Sequence, residues 1–132
     1  MTDFRLVAEF PGTTDYLRLR SITGLSQFSE EAAILGQKGT IFCVSILRGD
    51  DVVGMGRIIG DGGCIFQVVD IAVDPDCQGH GLGKEIVGAL TDYIHTSIPE
   101  GAYVSLIADL PADALYAQFG FEPTPLRQSA WR

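Results

Sequence analysis

The sequence predicts a mixed-sheet α/β domain built on one core. Three observations carry that prediction. Segments rich in β-branched and aromatic residues at 40–47 and 52–59 are joined by Gly49-Asp50-Asp51, a turn short enough to pair them antiparallel. Residues 64–73 form a near-continuous apolar run, the pattern of a central strand buried on both faces. A helical pattern then separates that run from a strand-like segment at 102–108, which implies a right-handed parallel crossover. A chain of 132 residues suits a single domain, 1–132.

The elements follow in order. Phe4-Arg5-Leu6-Val7-Ala8 reads as a first strand, and Pro11-Gly12 breaks it. Thr13-Thr14-Asp15 offers a helix cap, and Tyr16, Leu17, Leu19 and Ile22 give the helix an apolar face through about Leu25. Ser29-Glu30-Glu31 starts a second helix that Gly36 closes. Strands at 40–47 and 52–59 come next, the second weakened by Gly54 and Gly56. Gly60-Asp61-Gly62-Gly63 turns the chain into the apolar run. Asp74-Pro75-Asp76 ends that run, and a Gly-rich loop fills 78–83. A helix from about Gly81 to His95 buries Ile86, Val87, Leu90, Tyr93 and Ile94. Ile98-Pro99-Glu100-Gly101 breaks it before the strand at 102–108. Asp109, with Pro111 in the first turn, caps a short helix to Phe119. Gly120 stops it, and a last strand region begins at Phe121. The order is β-α-α-β-β-β-α-β-α-β.

Composition narrows the function. Hydrophobic residues make up 46 % and charged residues 20 %, which excludes a disordered chain. The net charge of −8, from 9 basic and 17 acidic residues, weighs against nucleic acid as a partner, because phosphates need a basic face. It agrees weakly with a cationic acceptor, although solubility is the plainer cause. The three cysteines, Cys43, Cys64 and Cys77, show no metal-ligand spacing and read as reduced thiols of a cytoplasmic protein. Met1-Thr2-Asp3-Phe4-Arg5 does not read as a signal peptide. No apolar run approaches the roughly 20 residues that span a bilayer, so no membrane partner is expected.

The chemistry lies in Val69-Asp70-Ile71-Ala72-Val73-Asp74-Pro75-Asp76-Cys77-Gln78-Gly79-His80-Gly81-Leu82-Gly83-Lys84. It is a buried strand, a break, a glycine-rich turn and a helix start. Successive backbone N–H groups near 79–84 and the positive end of the helix dipole would meet in one concavity suited to a diphosphate. A Walker A loop fails twice, because Gln78 stands where its first glycine belongs and Glu85 follows Gly83-Lys84. A dinucleotide fingerprint starting at Gly79-x-Gly81 fails where Lys84 replaces its third glycine. The pattern Q/R-x-x-G-x-G/A fits in full, with Gln78, Gly81 and Gly83.

That pattern resembles the coenzyme A diphosphate loop of the GNAT acetyltransferases. A second element supports the resemblance. Asp109-x-x-Ala112-x-x-Leu115-Tyr116-x-x-Phe119-Gly120-Phe121 is similar to the family signature N-x-x-A-x-x-L-Y-x-x-x-G-F. Together the two elements span 64–121, nearly half the chain, while the N-terminal half matches in element order alone. Their wording is closest to compact single-domain bacterial and plastid members, some of which acetylate arylalkylamines.

The resemblance implies the GNAT acyl-CoA N-acyltransferase fold and a direct acetyl transfer from acetyl-CoA to a primary amine, without a metal. Backbone groups of Ile71 and Val73 would pair with the pantetheine arm, and an N–H at Ile71 or Ala72 would polarise the thioester carbonyl. Gln78, Gly79, His80, Gly81, Leu82, Gly83 and Lys84 would hold the diphosphate. Asp109 and Ala112 would lie on the cofactor side. Asp109 stands where the family carries Asn, so its capping role survives while a donor contact does not. Tyr116 would protonate the leaving thiolate. Each assignment has a plainer counterpart: Tyr116 as a core aromatic, the glycines as a tight turn, Lys84 and Gln78 as solvated side chains.

A general base is harder to find. Where the histone-acetylating branch has Glu, this chain has Gln67, which cannot take a proton. Asp70 is the nearest carboxylate. Strict alternation places it on the face opposite Gln67 and Ile71. A water relay or a purely structural Asp70 fits equally well. His80 and His95 suit neither a metal nor a base role, and Cys77 lacks partners to activate it. Phe28, Phe42, Arg57, Phe66 and Tyr103 are candidate linings for a small-molecule amine acceptor, an arylalkylamine or polyamine before a protein. A homodimer is left open. A non-catalytic acyl-CoA sensor is the alternative of another class, and a nucleotide-binding kinase-like domain is a remote third.

Overall fold

A computed structural model describes residues 3–106 and 113–122. The elements are β1 (Phe4–Val7), α1 (Thr13–Ile22), α2 (Glu30–Lys38), β2 (Thr40–Arg48), β3 (Asp51–Gly60), β4 (Ile65–Val73), a 3₁₀ turn (Pro75–Cys77), α3 (Leu82–Ser97), β5 (Tyr103–Leu106) and α4 (Asp113–Ala117). The last strand region expected from Phe121 onward falls largely outside the described residues, as do Asp109 and Ala112. No described helix is long and apolar enough to cross a membrane.

The five strands form one sheet in chain order. β1 to β4 pair antiparallel, and β5 joins β4 in parallel. Mixed pairing and the crossover through α3 are as the sequence predicts. The sheet separates two apolar layers. On one face α3 contributes Leu82, Ile86 and Leu90, which pack on Val44, Ile46, Ile58, Phe66 and Val68. On the other face α1 and α2 contribute Tyr16, Leu19 and Ala33, which pack on Val52, Met55 and Ala72.

Two expected caps differ. Helix α1 is preceded by Gly12 at φ 91° with no side-chain cap, so Thr13 is already helical. It ends at Ile22 rather than near Leu25, where Gly24 at φ 82° turns left-handed and the Leu25 N–H returns to the Arg20 carbonyl. Helix α2 is capped by Ser29, whose Oγ accepts from the Ala32 N–H, but it runs past Gly36 to Lys38. Gly36 is tolerated inside it at a propensity cost of about 1 kcal/mol.

Among the described strands β3 lies in the middle, and its glycines are the reason α3 can approach. A Cβ at Gly56 would sit 2.6 Å from Ile86 Cγ2, and one at Gly54 3.2 Å from Ile86 Cδ1. Gly56→Ala is therefore expected to destabilise the domain by about 1–3 kcal/mol through overpacking. Chemical denaturation of Gly56→Ala, Ile86→Ala and the double variant measures it; the double variant should cost less than the sum, because Ile86→Ala removes the clashing atom.

The β3–β4 hairpin is pinned by Asp61. Its carboxylate accepts from the N–H groups of Gly63 (2.8 Å), Cys64 (2.8 Å) and Ile65 (3.1 Å). These bonds, that of Gly63 foremost, hold its pKa below the ordinary value. A depressed folded-state pKa gives stability that is present above the unfolded value and is lost as pH falls through the folded one. Asp61→Ala should melt below wild type at neutral pH, with the gap closing on acidification. A gap that persists in acid would remove the carboxylate from the explanation.

Candidate active site

β4 and β5 pair from Ile65↔Tyr103 to Val68↔Leu106. The last part of β4, from Asp70 to Val73, leads out of that ladder into the glycine-rich turn. Three predicted residues lie there. Ile71 and Val73 pack towards α3, and Ala72 is buried beside α1.

Past Val73 the chain makes its turn. The Asp74 carboxylate caps the 3₁₀ segment through the Asp76 N–H at 2.9 Å, and buried Cys77 anchors it in the core. Gln78, Gly79 and His80 are exposed, with the His80 ring 5.2 Å from Phe4. Gly79 (φ 86°) and Gly81 (φ 75°) adopt left-handed geometry that only glycine takes up freely, and a Cβ on either would meet nothing within 4 Å. Their open side can therefore admit a ligand against the backbone.

Gly81 is the N-cap of α3 and supplies no side-chain cap. The first intrahelical bond runs from the Glu85 N–H to the Gly81 carbonyl at 3.1 Å. The N–H groups of Leu82, Gly83 and Lys84 thus have no partner within the helix, and the dipole adds partial positive charge there. The Leu82 side chain is buried and the Lys84 side chain exposed, so both can contribute amides without moving side chains. This arrangement fits a diphosphate on chain chemistry alone.

A Cβ at Gly83 would meet Leu115 Cδ2 at 3.6 Å and one at Gly88 the Phe119 ring at 3.6 Å, ordinary van der Waals contact in both cases. These contacts lay α4 against the first two turns of α3. Tyr116 lies on α4 between these two contact residues and is half-buried.

On the α1–α2 face lies a cluster that sequence reasoning saw only in fragments. The Asp70 carboxylate accepts from Tyr16 Oη at 2.7 Å and Arg57 Nε at 2.6 Å, and is ion-paired with Arg20 Nη1. Burial and the Asp70 carboxylate raise the Tyr16 pKa above its ordinary value. Burial likewise raises the Cys43 thiol. Arg57 also donates to the Gly36 carbonyl at 3.1 Å and Thr40 Oγ1 at 3.0 Å. Tyr16 had been read as part of an apolar helix face. The helical spacing of Tyr16 and Arg20 was the available signal that both reach one partner.

Asp70 corrects the alternation argument. β3 and β4 pair Met55↔Ala72 and then Arg57↔Val69, so Gly56 faces both Asp70 and Ile71. That two-for-one bulge turns Asp70 towards α1 while Val68 and Ile71 both stay on the α3 side. Gln67 and Asp70 consequently both border Arg57, on one face rather than two.

An open groove of about 510 Å³ continues from Arg57 along Gly36, Gly39, Ile59, Gly60, Ile65, Phe66 and Gln67. Of the expected acceptor linings, Arg57 and Phe66 border it. Tyr103 sits beside it, opposite Ile65 in the parallel ladder. Phe28 instead lies under the Arg20 guanidinium, 4.1 Å from ring centroid to Cζ. Phe42 stacks on Tyr93 at 4.2 Å and belongs to the α3 face, because its register opposite Ile58 points it there. No described trio of His, Cys, Asp or Glu is placed to hold a metal.

An uncapped, glycine-lined helix start just past the fourth strand of a mixed sheet is the frame of an acetyltransferase-type fold. The pattern of the Acetyltransferase (GNAT) family matches residues 9–121, and the chain belongs to that family. A probable acetyltransferase from meticillin-resistant Staphylococcus aureus superposes with a TM-score of 0.88 at 43 % identity, covering 95 % of this chain and 94 % of that one. A GNAT family protein from Streptococcus pneumoniae shares the fold, with a TM-score of 0.71 at 24 % identity over 92 % and 88 %. The chloroplastic GCN5-related N-acetyltransferase 2 of Arabidopsis thaliana is 34 % identical over 74 residues, 56 % of this chain and 28 % of its own length. The uncharacterized N-acetyltransferase ycf52 of Pyropia yezoensis is 27 % identical over 92 residues, covering 67 % and 52 %. The chain thus spans about half or less of the curated relatives it matches.

Proposed function

We propose that this chain transfers an acetyl group from acetyl-CoA directly to the primary amine of a small molecule. One observation carries the donor assignment: the uncapped first turn of α3, entered through left-handed Gly79 and Gly81, lies just past the end of β4. Acetyl-CoA, when bound, supplies an acetyl group activated as a thioester.

The chain's own groups then have separable tasks. The amides of residues 79–84 grip the diphosphate. Ile71 and Val73 orient the pantetheine arm through their backbone. An N–H at Ile71 or Ala72 donates to the thioester carbonyl as negative charge grows on its oxygen. Tyr116 Oη gives its proton to the departing thiolate sulfur as the C–S bond breaks and the C–N bond forms. Asp70 is not the base, because a phenol and two guanidiniums already occupy its oxygens. The amine proton leaves to water. The groove at Arg57 and Phe66, on the other side of the bulge, receives the acceptor, and its Ile59 and Ile65 walls suit an apolar body.

Calorimetry with CoA, with ATP as the control, tests the donor. A transfer screen over arylalkylamines, polyamines, aminoglycosides, amino acids and peptides, read by thiol release, tests the reaction. Heat for CoA and turnover with a small amine are expected. CoA binding with no turnover across the screen would convert the enzyme into a sensor, and heat for ATP alone would end the acyl-CoA reading.

A further inference from the structure

Among the described residues Asp70 is the single non-glycine with positive φ, at 61°. A residue with a Cβ adopts that geometry only where its surroundings impose it. Aspartate tolerates it better than most, but glycine would do so more freely. The surroundings here are specific. Asp70 is held by Tyr16 and Arg20 from α1 and by Arg57 from β3, with side-chain exposures of 7 % for Arg20, 13 % for Arg57 and 6 % for Asp70. A buried ion cluster is a poor device for stability alone, since apolar residues of similar volume commonly replace such clusters without loss. Its better-attested use is to select one geometry among several.

That geometry is the bulge. It sets Asp70 and Ile71 against Gly56 and so fixes which way the Ile71 peptide group is presented. The clamp also reaches across the acceptor face. Arg57 binds the Gly36 carbonyl near the end of α2, and Arg20 binds the Ser26 carbonyl and hydroxyl, both at 2.8 Å, in the α1–α2 connection.

We propose that Asp70 is a positioning residue for acetyl transfer: its clamp by Tyr16, Arg20 and Arg57 holds the β4 bulge that aims the Ile71 amide at the thioester carbonyl, and ties that aim to the α1–α2 segment. The inference rests on the acetyl-CoA reading above. It requires no proton transfer by Asp70.

Two substitutions separate the clamp from the backbone geometry. Asp70→Gly keeps the freedom to adopt positive φ and deletes the clamp. Asp70→Asn keeps the shape and an acceptor oxygen and deletes the charge. The diphosphate grip at 79–84 is untouched in both, so CoA affinity by calorimetry is expected to fall far less than turnover. The turnover number of Asp70→Gly with acetyl-CoA is expected to fall by about 100-fold, the penalty for a misaligned reacting group, with a smaller change in KM and partial recovery in Asp70→Asn. The amide ¹H–¹⁵N signal of Ile71 should move in Asp70→Gly while those of Gly79 to Lys84 hold.

If Asp70→Gly does not fold, Tyr16→Phe carries the test: it removes one donor, leaves both ion pairs, and should shift the same signal and lower turnover far more than CoA affinity. Wild-type turnover in a folded Asp70→Gly, or an unmoved Ile71 signal, overturns the proposal. A wild-type protein that binds no CoA overturns the acetyl-CoA reading, and this positioning role with it. An active wild type matched by an equally active Asp70→Gly sinks the positioning role alone.

Discussion

Tyr116→Phe is expected to lower the turnover number for acetyl transfer by about 10²–10⁴-fold, the range that a positioned general acid supplies. The substitution deletes one oxygen and leaves the ring. α4 is held to α3 by Leu115 against Gly83 and Phe119 against Gly88, contacts the change does not touch. CoA affinity should therefore stay near wild type while turnover falls, which separates a lost proton donor from a lost cofactor contact. Steady-state kinetics with thiol detection, beside a CoA titration, measures both. Equal turnover in the variant would mean that water protonates the thiolate and that Tyr116 is a packing residue.

The second large effect is on stability. Arg57→Met keeps much of the aliphatic stem but removes the guanidinium from a buried carboxylate. Asp70 is then left with Arg20 and Tyr16, and the Gly36 carbonyl and Thr40 hydroxyl lose their shared donor. Breaking a buried pair from one side costs about 3–5 kcal/mol, and the remaining Arg20 partner places the expected loss at the lower end. Chemical denaturation reads it directly. Arg57→Met combined with Asp70→Asn should cost less than the two singles added, since the second change removes part of the charge the first left exposed. Additive losses would mean that the two side chains act independently despite their 2.6 Å contact.

What could be read along the chain was whatever rests on neighbours in sequence. Ser29 caps α2 because a hydroxyl three residues ahead of an open N–H needs no distant partner. The Leu82–Ser97 helix buries Ile86, Val87 and Leu90 because 3.6-residue periodicity aligns them on one stripe. The glycine pattern at 79–83 announced an anion-binding turn for the same local reason. The roles within it were not local. Gly79 and Gly81 bend the backbone, whereas Gly83 lies against Leu115, thirty-two positions later in the chain.

Strand faces went the other way. Phe42 appeared to be an acceptor lining until its partner Tyr93 on α3 showed which side of the sheet it occupies. Gly54 and Gly56 looked like weaknesses in β3, yet they let α3 settle on the sheet. Asp70 is the sharpest case. Alternation with period two is a property of an uninterrupted strand, and one inserted residue reverses every facing beyond it. That insertion is stabilised by Tyr16, Arg20 and Arg57, whose convergence depends on how α1 crosses the sheet. The sequence by itself therefore determined the element order through α4, the mixed sheet and the glycine-rich turn ahead of α3, all products of short-range geometry. Only the tertiary structure decided where the bulge falls and which residues clamp it, because those follow from contacts between segments far apart in the chain.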